Sequence, residues 1–385
     1  MRIFYLSTAL EDDDFNYLES KASKKPNPAG QNFHAKLLVA LSDFSPVYAY
    51  SLIPNLENVL PEASLEKSKS LLWRYLEPME GKIGRFLNQG RLIGKTILSE
   101  HSDLNENDIL LYDSLNLSLA KAARFLKRKK ACKTVAILTD DPQNITGAAR
   151  FYVKQCLSLS ASCNGYFALT EGLYNLFSKN GAPHLVKMGL VEELEKQESP
   201  IHAPYMYYGG ALFVKDGTKA LLDAYQSVRP NLDLVLSGHG AHQEECRKAA
   251  IENPRIHFLG QISKKEHYAY LQNATLLLNP RIFRKSLDKV SVPSKLLEYL
   301  ASGVPILSTY STPIFASFGN SINLLNNHGE DPTPALESFF QERISEEGKL
   351  IGIVENHSAK EFMAQNGVAK VASDLTSFCA SLTSK

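Results

Sequence analysis

The sequence predicts an α/β protein built from two successive parallel-sheet domains. Three observations predict it. Short apolar runs alternate with longer amphipathic segments through most of the chain, the βαβα pattern of parallel sheets covered by helices. The pattern halts at Glu192–Pro200, a charged segment ending in proline, and then restarts. The length, 385 residues, suits two domains better than one.

The elements follow in order. The opening Met1-Arg2-Ile3-Phe4-Tyr5-Leu6 reads as a first strand; it is too short, and too soon followed by acids, to be a signal peptide. Further strands of the first half are expected near 46–53, 108–112, 134–139, 164–169 and 184–188. Helices are expected near 32–42, 64–88, 115–129, 147–160 and 171–180. In the second half, strands are expected over Tyr207–Val214, Leu232–Ser237, Ile256–Leu259, Ala274–Leu278 and Val304–Leu307, with helices over Asp216–Val228 and Ala241–Glu252. The tail, about 358–383, reads as helix with Ser358 as candidate N-cap. The expected domains are 1–195 and 196–357, followed by a C-terminal helical segment, 358–385.

Composition excludes several classes. A hydrophobic fraction of 44% is ordinary for a soluble globular protein, and a net charge of +1 gives no general argument for nucleic acid. The five cysteines form no C-x-x-C pair, and their odd number argues against a disulfide framework; they read as reduced thiols of a cytosolic protein. No apolar stretch approaches the ~20 residues needed to span a bilayer. Gly90–Thr96 looks like a phosphate loop but is one residue short and comes after a helical pattern. Asp12-Asp13-Asp14 is an acid run outside any strand-end context, and His239 and His242 belong to no metal-ligand set, so no metal site is expected.

Val292–Ser308 carries the most chemistry. Pro293-Ser294 opens a short apolar helix, Gly303 ends it, and Val304–Ser308 reads as a buried strand. A helix N-terminus offers free amides and partial positive charge, which favour a phosphate. Glu298, one turn inside, offers a carboxylate to sugar hydroxyls. Together they suit a nucleoside diphosphate and its ribose.

This run resembles the donor-site motif of GT-B glycosyltransferases of the family 4 type (glycosyl transferases group 1), a class that includes many enzymes of bacterial surface-polysaccharide synthesis. The resemblance runs from Tyr207 to Ser308. It implies a GT-B fold, two Rossmann-like domains facing across a cleft, with the tail crossing back to the first domain. It also implies transfer of a sugar from a UDP- or GDP-linked donor to a hydroxyl of a saccharide or lipid-linked acceptor, with retention of configuration and no cofactor or required metal. The candidate donor-binding residues are Gly210, Lys215 (one residue from the family's lysine place and a substitute for it), Gly238, Gln261, Ile262, Arg281, Arg284, Lys285, Ser294, Lys295, Leu296 and Glu298. Gln261 and Ile262 would meet the base, one of the three cations Arg281, Arg284 and Lys285 in the 279–286 loop the diphosphate, and Glu298 the ribose. The chain departs from the family at Ala211 and Asp216, where an Arg and a Lys are usual, and at Val290, where a second Glu is usual.

The first half matches more loosely. Gly30 and Gln31 resemble the acceptor-side loop of the family, and Asp113, Asp140 and Asp141 stand at strand ends, where a carboxylate orients or deprotonates an acceptor hydroxyl. Each is also a natural cap or turn former. Residues 118–133 hold seven Lys and Arg and no acid, with Leu117, Ala120, Ala123 and Leu126 at helical spacing. Such a helix suits a peripheral contact with anionic membrane, and the expected location is cytoplasmic with a place at the inner face of the membrane. Two alternatives stay open: a non-catalytic GT-B-like subunit that positions an active glycosyltransferase, and a nicotinamide-dependent oxidoreductase resting on Gly238-x-Gly240 alone.

Overall fold

The computed structural model describes the chain except for residues 22–27, 55–69, 146, 180, 199–200, 283–288, 310–314, 326–330 and 385. The chain divides into two compact units, Met1–Leu190 with Asn366–Lys385, and Val191–Gln365.

In the first unit, β1 (Ile3–Ser7), β2 (Val47–Leu52), β3 (Leu71–Leu76), β4 (Ile109–Asp113), β5 (Lys133–Leu138), β6 (Gly165–Ala168) and β7 (His184–Val186) form one sheet in the order β3-β2-β1-β4-β5-β6-β7. All its pairings are parallel. The strands β1, β4 and β5 are nearly solid apolar runs because helices cover both faces of the sheet. β3 lies where a helix over 64–88 was expected. Leu71, Trp73 and Leu76 are buried, while Arg74 between them is exposed, and aromatic side chains suit a half-buried pleated edge. Asp12–Asp14 form the first turn of a helix, Asp12–Lys21, where their charge complements the helix dipole.

A helix not expected from the sequence, Gly90–Glu100, packs on the basic helix Leu117–Lys130. Its two glycines allow the close approach: a Cβ on Gly90 would lie 2.6 Å from Lys121 Cβ, and one on Gly94 would lie 2.4 Å from the Phe125 ring. Those glycines also dilute the apolar pattern that would have announced the helix. This packing uses the apolar side of 118–133. Leu119, Ala120, Ala122, Ala123 and Leu126 are buried. Lys121 bonds the carbonyl of Phe86, while Lys127 and Lys130 donate to the carbonyls of Ser162 and Ser102 at 2.6 Å each. The apolar face is consumed inside the unit, and Arg128 and Lys129 remain exposed.

In the second unit, β8 (Tyr205–Gly209), β9 (Asp233–Ser237), β10 (Ile256–Phe258), β11 (Leu276–Asn279), β12 (Ile306–Ser308) and β13 (Asn323–Leu324) form a parallel sheet in the order β10-β9-β8-β11-β12-β13. Both sheets share the doubly wound order in which the chain reverses direction beside its first strand. Each unit is therefore Rossmann-like.

The unit boundaries differ from the expected ones. Glu192–Glu198 is docked on the helix Lys264–Asn273: Lys264 pairs with Glu192, Gln197 N donates to Gln272 Oε1 at 3.0 Å, and Gln272 Nε2 donates to Glu195 O at 2.8 Å. At the other end the expected tail breaks at Gly367 into Ala359–Asn366 and Val368–Thr383. The second of these helices buries Val371, Leu375 and Cys379 in the core of the first unit, and Lys187 pairs with Asp374 at 2.6 Å. Residues 358–365 stay with the second unit. All five cysteines are buried and free.

Candidate functional site

In an open α/β sheet, a ligand site lies outside the carboxyl ends of the strands, where the strand order reverses. In the second unit that point lies between β8 and β11. A pocket of about 490 Å³ opens there, a size that suits a small-molecule ligand. Turns after four strands line it: Gly209-Gly210-Ala211 with Asp216, Ser237-Gly238, Gln261-Ile262, and Arg281. The start of the helix Ser294–Ser302 completes it with Ser294, Lys295 and Glu298.

That helix is fixed from below. Leu296, Leu297, Tyr299 and Leu300 are buried, Gly303 closes it in the left-handed region at φ 76°, and Asn356 Nδ2 lies within 3.3 Å of the carbonyls of Tyr299, Leu300 and Val304. No side chain caps its N-terminus, which meets the pocket at Ser294 and Lys295. Leu296 does not face the pocket. Its side chain is fully buried, and its amide already bonds Pro293 O at 3.0 Å.

Glu298 is half-exposed, and its Oε2 lies 3.3 Å from His267 Nε2. His267 Nδ1 lies 2.8 Å from the Tyr207 hydroxyl, which lies 2.6 Å from Ser237 Oγ. A buried chain of polar groups thus holds the carboxylate from behind. Sequence reasoning missed His267 because one histidine on a polar helix carries no local signal; only the fold brings Lys264–Asn273 beside Ser294–Ser302.

Lys295 is the principal cation of the pocket. Its Nζ stands 4.0 Å from the centroid of the Tyr208 ring. Burial pushes its pKa down to about 8; Asp216 and Glu298 oppose that shift, and Arg281 adds to it. Lys215 lies elsewhere: the short turn Val214–Asp216 leaves Lys215 exposed, turns Asp216 into the pocket, and gives Lys215 O to Ile282 N at 3.2 Å. Gly238, at φ 133°, lets two loops touch, since a Cβ there would sit 1.8 Å from Gly210 O. Ser263 and Glu266 form a capping box that sets the helix start just after Gln261 and Ile262. Arg284 and Lys285 lie outside the described residues. His239 is exposed, whereas His242 is 8% exposed with Nδ1 unpartnered.

The first unit has a pocket of about 530 Å³ that includes Thr8 after β1, Asp113 at the end of β4 and Thr139 after β5. Gly30 and Gln31 line it, but the Gln31 amide is engaged twice with the Leu10 backbone, accepting from N at 2.9 Å and donating to O at 2.6 Å. Gln31 is therefore a clamp on the first loop. Asp113 Oδ1 accepts from Leu115 N at 2.9 Å. Asp140 and Asp141 stand apart from this pocket; each accepts from a backbone amide just ahead, at 2.7 and 2.8 Å, and Asp141 caps Pro142–Asn144. Two lining residues were not anticipated. His34 is buried, its Nδ1 lies 2.7 Å from the Tyr5 hydroxyl, and burial lowers its pKa against the pull of Asp113. Arg85 brings a buried Nε without a partner, from a π-helical segment, Arg85–Gln89, of the kind often found at functional sites.

Residues 203–322 match the sequence profile of the family Glycosyl transferases group 1. Along nearly its whole length, the chain is similar to solved structures. Anabaena HepE in complex with UDP aligns at a TM-score of 0.67 and 13% identity, covering 99% of this chain and 100% of that one. Sucrose-phosphate synthase from Thermosynechococcus elongatus aligns at 0.68 and 11%, covering 100% of both. The lipopolysaccharide outer core galactosyltransferase WaaB aligns at 0.63 and 14%, covering 99% of both. The chain has the GT-B fold. No curated protein sequence matches it. Within this GT-B chain, the profile match contains every described residue of the second-unit pocket. Among the described residues, no group of three or more His, Cys, Asp or Glu forms a metal site, and no helix is long and apolar enough to cross a membrane.

Proposed function

We propose that this protein is a glycosyltransferase that moves a sugar from a nucleotide-sugar donor to a hydroxyl of a saccharide or lipid-linked acceptor, with retention of configuration, in bacterial polysaccharide or glycoconjugate synthesis. One observation carries the reading: an uncapped helix N-terminus, Lys295, Arg281 and a braced Glu298 converge on one pocket at the strand-order reversal. HepE, whose structure was solved with UDP, with UDP and glucose, and with UDP-glucose, lends support through its fold.

In this reading, the diphosphate lies at Ser294 and Lys295, where amides and cations stabilise the charge that develops as the sugar–phosphate bond breaks. Glu298 accepts from the ribose hydroxyls, and Gln261 and Ile262 flank the base. No cofactor takes part, and protein cations supply the neutralisation. The acceptor occupies the first-unit pocket, where Asp113 orients its hydroxyl or takes the hydroxyl's proton. Contact of 118–133 with an anionic membrane surface rests on the exposed charge of Arg128 and Lys129. The alternative reading, a non-catalytic partner of an active glycosyltransferase, is favoured by the carboxylate of Asp216 inside the pocket. Incubation with UDP- and GDP-sugars, with and without chelator, tests the proposal. Slow donor hydrolysis that survives chelation is expected; failure of every nucleotide sugar to bind or turn over would remove it.

A further inference from the structure

The carboxylate of Asp216 is an oddity in a pocket that otherwise suits an anion. It is only 9% exposed, it lines the pocket, and its Oδ2 is buried without a hydrogen-bond partner. A buried acceptor left unsatisfied is costly, so a group that a ligand would satisfy is the natural reading. The turn that carries it is firmly placed. Gly217 packs so tightly on the end of β11 that a Cβ there would lie 1.6 Å from Pro280 O. Ile282 N bonds Lys215 O at 3.2 Å, tying the same turn to the segment after β11. Asp216 is therefore fixed in the pocket that Arg281 and Lys295 also line, with its Oδ2 unbonded.

A carboxylate cannot face phosphate oxygens at close range, because the like charges repel. The partner it requires is a donor. In a nucleotide sugar, the donors next to the diphosphate are the hydroxyls of the sugar itself. Lys295 and Arg281 keep the pocket attractive to the diphosphate, while Asp216 supplies an acceptor at its edge.

We propose that Asp216 is a specificity-determining residue that accepts a hydrogen bond from a hydroxyl of the donor's sugar ring, and so selects hexose donors bearing a hydroxyl at that position. This rests on the nucleotide-sugar reading above and extends it to the sugar. A site built to bond a hydroxyl discriminates strongly against an analogue that lacks it.

The test measures binding by calorimetry to wild type, Asp216→Asn and Lys295→Met. The probes are UDP, UDP-glucose, UDP-galactose, GDP and GDP-mannose. For the preferred donor, Asp216→Asn is expected to reduce the preference for nucleotide sugar over free nucleotide by about 10- to 100-fold. Lys295→Met is expected to weaken nucleotide and nucleotide sugar alike. A second measurement guards against a misfolded variant: wild type is titrated with mono-deoxy analogues of its preferred donor. One ring position is expected to cost wild type a comparable factor, and Asp216→Asn is expected to ignore that same deletion. If wild type binds nucleotide and nucleotide sugar but Asp216→Asn leaves their ratio unchanged, or if no deoxy analogue is penalised, the assignment to Asp216 is wrong while the donor-site reading stands. If wild type binds no nucleotide at all, both fall together.

Discussion

Replacing Lys295 by Met is expected to stabilise the ligand-free protein while crippling its pocket. Burial lowers the Lys295 pKa from 10.5 to about 8. At ~1.36 kcal/mol per pH unit, keeping that ammonium charged in the fold costs about 3 kcal/mol near neutral pH. Methionine has similar reach and no charge, but it forfeits the ammonium–Tyr208 contact, worth ~0.5–1 kcal/mol. The expected gain is about 2 kcal/mol, read by urea denaturation at pH 7. The sign of the pH dependence follows from a folded pKa below the unfolded one. The penalty is complete below pH 8 and disappears as the pH rises toward 10.5, so the advantage of Lys295→Met over wild type shrinks across that window. In the same experiment, UDP affinity at pH 7 is expected to fall by about 10- to 100-fold, and wild-type affinity is expected to decline as the pH passes 8. A Lys295→Met protein that is less stable than wild type, yet binds UDP as tightly, would refute the reasoning.

Other residues give sharper local tests. Glu298→Gln is expected to weaken UDP by about 10-fold or more but to leave a 2′,3′-dideoxy nucleotide unaffected, as competition titrations would report. Gly238→Ala combines a φ of 133° with a Cβ 1.8 Å from Gly210 O, so a loss of more than about 3 kcal/mol is expected in thermal or chemical denaturation. Arg85→Gln removes a side chain whose buried Nε has no partner; stability should change by less than ~0.5 kcal/mol, while KM for the acceptor rises in steady-state kinetics with kcat little altered.

The sequence disclosed the fold well where one rule governed each segment. Solid apolar strands such as Ile109–Asp113 and Asp233–Ser237 are buried on both faces, and their composition says so. It failed at Leu71–Leu76, where a half-exposed edge strand mixes two periodicities, and at Gly90–Glu100, where glycines needed for close helix packing masked the helix. The second-unit pocket was legible because its parts are nearly contiguous: Ser294, Lys295 and Glu298 share one helix. Its second layer was not, because Tyr207, Ser237 and His267 come from three separate elements. Turn geometry accounts for the exchange of Lys215 for Asp216, since a three-residue turn decides which of two neighbours faces inward. Asp140 and Asp141 each accept from the backbone just ahead, the cap and turn roles that the sequence also allowed.

The claim on which the functional reading stands is that the Ser294–Ser302 helix start and Glu298 together hold a nucleotide. A crystal structure of the chain with UDP or GDP measures this directly. The account predicts the diphosphate within hydrogen-bonding distance of the amides at Ser294 and Lys295, and the ribose hydroxyls on the Glu298 carboxylate. Nucleotide density anywhere else, or a ribose turned away from Glu298, would contradict it.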